Sequence, residues 1–177
     1  MKLKTLIFAC LVVFSSACEK AKEGVTFTLS TRSEITIPSS TGLNLPINLL
    51  SPDITTNANS SFESNRTTPA LVREIKLSRL DINILSPNQT TFDFFRTLRV
   101  YMSAPDLPEV ELASAVDIPA DGRRSLELSV DKDTNFKEYI VKDRISLRVQ
   151  ATTRQLVTSD TKLEVLPAFE VRASLID

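Results

Sequence analysis

Histidine and tryptophan are absent from the 177 residues, and only two cysteines and three glycines occur. Without histidine there is no Ser-His-Asp or Cys-His arrangement and no zinc site of the histidine-bearing kind. With so little glycine, the phosphate-cradling loops and dinucleotide fingerprints that depend on it are missing. The lack of Trp argues against the flat aromatic platforms on which many modules stack sugars. Turns that glycine would serve elsewhere must here fall to Asn, Asp and Ser. Charge of one sign is lacking too: 21 basic residues stand against 22 acidic ones. Nothing in that balance suggests a nucleic-acid partner.

What the chain does have begins at its N-terminus. Lys2 and Lys4 precede the apolar run from Leu6 to Phe14, and the small residues Ser15, Ser16 and Ala17 follow. That order is the basic, apolar and small-residue sequence of an export signal. A membrane span needs about 20 apolar residues, and this run ends before Glu19 and Lys20.

The residues Ser15-Ser16-Ala17-Cys18 resemble a lipobox, where bacterial lipoprotein signals are cut ahead of a diacylated cysteine. Ser16 and Ala17 fit the motif, while Ser15 stands where the family usually carries Leu, Val or Ile. Looser boxes of this kind are familiar in lipoproteins of the Bacteroidota. The resemblance implies a signal peptide over residues 1–17, a lipid on Cys18 and a lipidated linker over 18–24; the length that remains fits a single domain of ordinary size, expected over 25–177. It also implies attachment to the cell envelope. Glu19 in place of Asp directs the expectation to the outer membrane, with the periplasmic or outward face open. A multiply acylated cysteine anchors stably, since each buried methylene contributes about 0.8 kcal/mol. With Cys10 lost in the signal and Cys18 acylated, the mature domain would hold no disulfide. Its net charge would be about −3 once Lys2 and Lys4 are gone.

Along the rest of the chain, apolar and polar residues alternate with the period of a strand that has one face on a core. The clearest runs are Val25–Leu29, Leu80–Ile84, Leu126–Val130 and Ile145–Ala151. Ile35–Ile37, Leu45–Leu49, Leu98–Met102, Val110–Leu112 and Phe169–Ala173 are weaker. Pro38, Pro52, Pro69, Pro87, Pro105, Pro108, Pro119 and Pro167 read as punctuation between runs, and Pro46 as the mark of an edge strand. Asp121-Gly122 reads as a tight hairpin and Ser86-Pro87-Asn88 as a turn. One short helical turn is expected around Thr134 to Val141, capped by Thr134, with Phe136 and Ile140 four apart and Tyr139 plugging a corner. The expected fold is all-β: an antiparallel sandwich of about seven to nine strands, immunoglobulin-like or fibronectin-like by analogy.

Candidate functional residues are few. The polar stretch from Thr55 to Pro69 contains one large apolar residue, Phe62. Irregular segments of that length in compact domains are often functional, and the competing reading tucks Phe62 under a solvated connection. Tyr101 is a candidate binding residue on a strand. Asp106, Glu109 and Glu111 form an acidic cluster near a turn, most simply read as solvated carboxylates. Asp131-Lys132-Asp133-Thr134-Asn135 copies the first ligands of a calcium loop. Phe136 replaces the required glycine and Lys142 the bidentate glutamate, so an EF-hand is excluded; an Asp-capped turn is the simpler reading, beside a looser calcium site. Asn59, Asn65 and Asn88 begin glycosylation triplets, which matter in eukaryotic secretion. No catalytic residue, metal site or cofactor is expected. The sequence points to a non-catalytic envelope module that binds a protein partner through sheet edges or loops. The alternative is a glycan- or small-ligand-binding accessory lipoprotein using Tyr101 and the Thr55–Pro69 stretch.

Overall fold

The computed structural model describes residues 24–39, 44–142 and 144–176. The expected signal peptide over 1–17, Cys18 and most of the expected linker over 18–24 lie outside them. Among the described residues no helix is long and apolar enough to cross a membrane.

Two antiparallel sheets face each other across one apolar core. Eleven strands run in chain order: β1 (Gly24–Ser30), β2 (Ser33–Ile37), β3 (Pro46–Leu50), β4 (Ile54–Thr55), β5 (Val72–Ser86), β6 (Phe95–Ser103), β7 (Val110–Ala115), β8 (Ser125–Glu127), β9 (Ser129–Val130), β10 (Arg144–Thr153) and β11 (Thr161–Ser174). The first sheet has the order β1-β11-β5-β8, with β2 also on β11. The second has the order β3-β10-β6-β7-β9, with β4 also on β10. The all-β sandwich expected from the alternation is therefore what the chain forms. In β10 every second side chain from Ile145 to Thr153 is buried, as strict alternation requires. The strand count exceeds seven to nine because edge strands are broken. β1 and β2 lie end to end along β11, and β3 and β4 end to end along β10.

The run Leu126–Val130 looks like one strand in sequence but serves both sheets. Its first half pairs with β5 and its second with β7. Between them the Leu128 amide donates to the Leu80 carbonyl, 2.9 Å away, so the crossing leaves no orphaned N–H there. Pro167 is not punctuation: it lies within central β11. It faces the gap between β1 and β2, so its missing N–H removes no bond from either strand, while its carbonyl accepts from the Thr31 amide at 3.2 Å. Pro46 opens edge strand β3, as expected.

Asp121-Gly122 makes no hairpin, because β7 and β8 belong to different sheets. Gly122, at φ +78°, turns an inter-sheet connection, and the Asp93 carboxylate accepts from its amide at 2.9 Å. Elsewhere the scarce glycine is replaced as chemistry demands: Asn44, Asn57, Asp106 and Asp117 all take positive φ. The Ser86–Pro87 bond is cis and sits in the expected turn.

The described residues hold two short α-helices, α1 (Ala58–Ser64) and α2 (Lys137–Ile140). α2 is shorter than the Thr134–Val141 expectation, and Thr134 does not cap it. Its hydroxyl instead donates to Asp131 at 2.6 Å, and Phe136 stands at the N-cap. Phe136 and Ile140 are both fully buried, and Phe136 meets the ring of Phe169 edge-on.

Candidate functional site

Phe62 is carried by α1, a helix inside the stretch expected to be irregular. Its ring is fully buried and meets Phe27 edge-on at 6.2 Å between centroids. It is therefore a core residue, and a surface ligand cannot reach it. The segment that carries it is a helix here and no irregular connection. Sequence reasoning missed the helix because Asn57-Ala58-Asn59-Ser60-Ser61 has weak helical propensity. Burying Phe62 overrides that preference.

Tyr101 lies on the outer face of the six-stranded sheet. Register places it between Arg148 of β10 and Glu111 of β7. The Arg148 guanidinium carbon lies 4.1 Å from the centre of the tyrosine ring, a cation–π stack. That guanidinium is held on two further sides. It donates to both Glu109 carboxylate oxygens, at 2.8 and 2.5 Å, and to Asn48 Oδ1 at 2.6 Å. Gln150 also donates to Asn48 Oδ1, at 3.2 Å. Arg99 donates to Glu111 at 3.4 Å.

The electrostatics follow from this pairing. Hydrogen bonds from Arg148 hold the Glu109 carboxyl below its ordinary value, against a smaller effect of burial. Arg148 is raised by the same contact, and Arg99 is raised first by Tyr101 and then by Glu111. Two of the three acidic residues read as a cluster are thus each tied to a guanidinium. Such a constellation offers a rigid polar contact face. It does not offer Tyr101 as a platform for stacking on the side that Arg148 covers. Tyr139 is likewise engaged, its hydroxyl donating to the Pro108 carbonyl at 2.9 Å.

The calcium-loop-like string is a closed turn. Asp131 accepts from the Asp133 amide at 2.8 Å and from the Thr134 hydroxyl. Asn135 Oδ1 accepts from the Ile75 amide at 3.0 Å and the Lys137 amide at 3.1 Å. Asp131 and Asn135, two of the would-be ligands, are thus engaged in holding the turn and the β5 backbone. Among the described residues no group of three or more Asp, Glu, Cys or His is placed to hold a metal.

Grooves open where the edge strands break. One of about 420 Å³ lies between the β1–β2 break and the β3–β4 break, lined by Thr31, Arg32, Glu34, Asp53 and Asn57 among others. A second, of about 380 Å³, shares Asp53 and continues to Ser103, Pro105, Arg144 and Ser146. Neither tyrosine lines these grooves. Sequence reading missed them because a break between two collinear strands leaves only a short turn signal, here Thr31-Arg32 and Ser51-Pro52-Asp53. Beside them, β3 presents Leu50 at 73% exposure, and Leu45 just before it is 65% exposed.

No family model matches the chain, and no curated protein matches it. Among solved structures, it has a distant likeness to Turnip Yellow Mosaic Virus at 13% identity and TM-score 0.31, over 86% of this chain and 97% of that one. A second likeness is to Desmodium yellow mottle tymovirus, at 11% identity and TM-score 0.29, over 86% of this chain and 91% of that one. Likenesses this distant carry no argument about function.

Proposed function

We propose that the chain is a lipid-anchored module of the bacterial cell envelope, non-catalytic, which binds a protein partner at the β3 edge of the six-stranded sheet. The observation that carries this reading is the juxtaposition at that edge. Among the described residues β3 has a strand on one side only, its inward residues Ile47 and Leu49 are incompletely buried, and Leu45 and Leu50 stand exposed beside it. Exposed leucines flanking an open edge are what strand addition by a partner would cover. The adjoining Arg148, Glu109, Asn48 and Gln150 network supplies a preorganised polar rim, in the manner of interfaces whose apolar centre is ringed by polar groups.

The test is capture from detergent-solubilised envelope. The wild-type chain should retain a specific protein that the Leu45→Asp/Leu50→Asp variant loses, with both leucines already in solvent and the fold therefore unaffected. Retention of no protein, together with saturable glycan binding by calorimetry, would sink the reading in favour of a glycan-binding module. The anchor has its own test: Cys18→Ala should move the domain into the soluble fraction, and an uncut, membrane-bound variant would refute lipidation.

A further inference from the structure

Sheet edges in this molecule are almost all defended. β8 and β9 are three and two residues long. β2 carries Glu34, ion-paired with Arg32, and β3 on the other sheet is the exception already given to a partner, its proline standing only at the first residue. The part of β5 that β8 does not reach is closed by side chains and backbone. Asn135 Oδ1 accepts from the Ile75 amide, the Phe136 amide donates to the Ile75 carbonyl at 2.7 Å, and Lys137 Nζ donates to the Val72 carbonyl at 2.6 Å. Short strands, prolines, charges and covering segments are the means by which natural sheets prevent edge-to-edge pairing.

β1 has none of them. It is seven residues long, Gly-Val-Thr-Phe-Thr-Leu-Ser, with no charge and no proline, and among the described residues it has a strand on one side only, β11. The bond from the Thr31 amide to the Pro167 carbonyl fixes the parity of the ladder: residues 25, 27 and 29 bond to β11. The N–H and C=O groups of Gly24, Thr26, Thr28 and Ser30 therefore point to the open side. Val25 and Phe27, whose side chains face inward, are only half buried, as at an edge awaiting a neighbour.

The strand is also a palindrome in chemical class about Phe27: Thr26 mirrors Thr28, Val25 mirrors Leu29, and Gly24 mirrors Ser30. An antiparallel pairing about a two-fold at Phe27 sets each residue opposite its counterpart across that centre in the second copy, so this likeness places like against like in every pair. We propose that β1 pairs with β1 of a second copy of this chain, joining two five-stranded sheets across a two-fold axis at Phe27. Thr26 then stands opposite Thr28 of the second copy, and Gly24 opposite its Ser30, each pair exchanging both backbone hydrogen bonds. Phe27 meets its own copy, and Val25 meets Leu29, on the inward face. Shifting the register by one residue would place threonines against the core residues, and shifting it by two would leave two residues of each strand unpaired, so this alignment is the fullest one. The inference is independent of the partner reading at β3, which uses the opposite sheet.

The experiment compares three full-length chains in detergent by sedimentation equilibrium: wild type, Thr26→Lys/Thr28→Lys and Thr26→Lys/Thr28→Glu. Both side chains are exposed, and the dimer alone brings position 26 opposite position 28 of the other copy. Wild type should be dimeric, the double lysine should weaken dimerisation by about tenfold or more, and the Lys/Glu variant should recover it. In the envelope, a Thr26→Cys copy co-expressed with a Thr28→Cys copy should form a mixed disulfide, since hydrogen-bonded pairs stand about 5.5 Å apart between Cα atoms. A monomeric wild type, a dimer indifferent to the double lysine, or homodisulfides as abundant as the mixed one would each overturn the proposal. Capture through Leu45 and Leu50 is read on the same variants, so loss of self-pairing and loss of the β3 partner are distinguished.

Discussion

Arg124 does the work of a missing strand. Its guanidinium donates to the carbonyls of Ile84, Pro87, Asn88 and Thr90, at 2.8, 2.8, 2.5 and 2.6 Å, and so satisfies the turn that leaves β5. Arg124→Met keeps most of the stem but strands those acceptors. Hydrogen bonds to charged donors contribute about 1.5–3 kcal/mol each, and water recovers part of that at a half-exposed site, so a net loss of about 2–3 kcal/mol is expected in urea unfolding. Phe62 is the contrasting residue. Because its ring is buried against Phe27, Phe62→Ala should cost about 3–5 kcal/mol, through lost transfer energy and a residual cavity. A ligand-contacting role would instead leave the urea midpoint nearly unchanged.

At the scale of elements, what could be read in advance was whatever strict alternation encodes. β10 and β1 match their patterns residue for residue, because neither is interrupted by a bulge on its inward face. β5 does not. Its buried positions run Val72, Ile75, Leu77, Leu80, Ile82 and Ile84, with breaks in register against β11 at Arg73, Ser78 and Leu85. Each bulge adds a residue and resets the period, so only the Leu80–Ile84 portion stands out in sequence. α1 was hidden because tertiary burial overrides weak propensity, and the Leu126–Val130 crossing because alternation is the same on either sheet. The candidate residues fared by the same logic: Tyr101 could be placed on a strand, but its cover comes from Arg148, 47 positions away in sequence. The closure of the β5 edge by Asn135 is an element-scale feature with a direct test. Asn135→Ala removes the acceptor for two amides, so the Ile75 amide should exchange about tenfold or more faster with solvent, at a stability cost of about 1–2 kcal/mol. Unchanged protection at Ile75 would mean that Phe136 alone closes the edge.

For the molecule as a whole, the missing histidine returns as a prediction about pH. No side chain of ordinary pKa titrates between about pH 5 and 8 in its absence. The shifted carboxyls all lie lower. Glu109 is held down by Arg148, Asp121 by Arg123, Asp131 by the Thr134 hydroxyl, and Asp160 by the Ser39 amide. A carboxyl whose folded pKa lies below its unfolded value of about 4 contributes its full stabilisation above that value. The contribution disappears as pH falls through the folded pKa. The urea midpoint should therefore be flat from about pH 5 to 8 and drop only below about pH 4. These carboxyls are largely exposed, and the ion pairs of Glu109 and Asp121 are screened, so each one's share of the drop is small and the acid limb shallow. A sloping midpoint between pH 6 and 7 would contradict the account, because nothing among these groups changes protonation there.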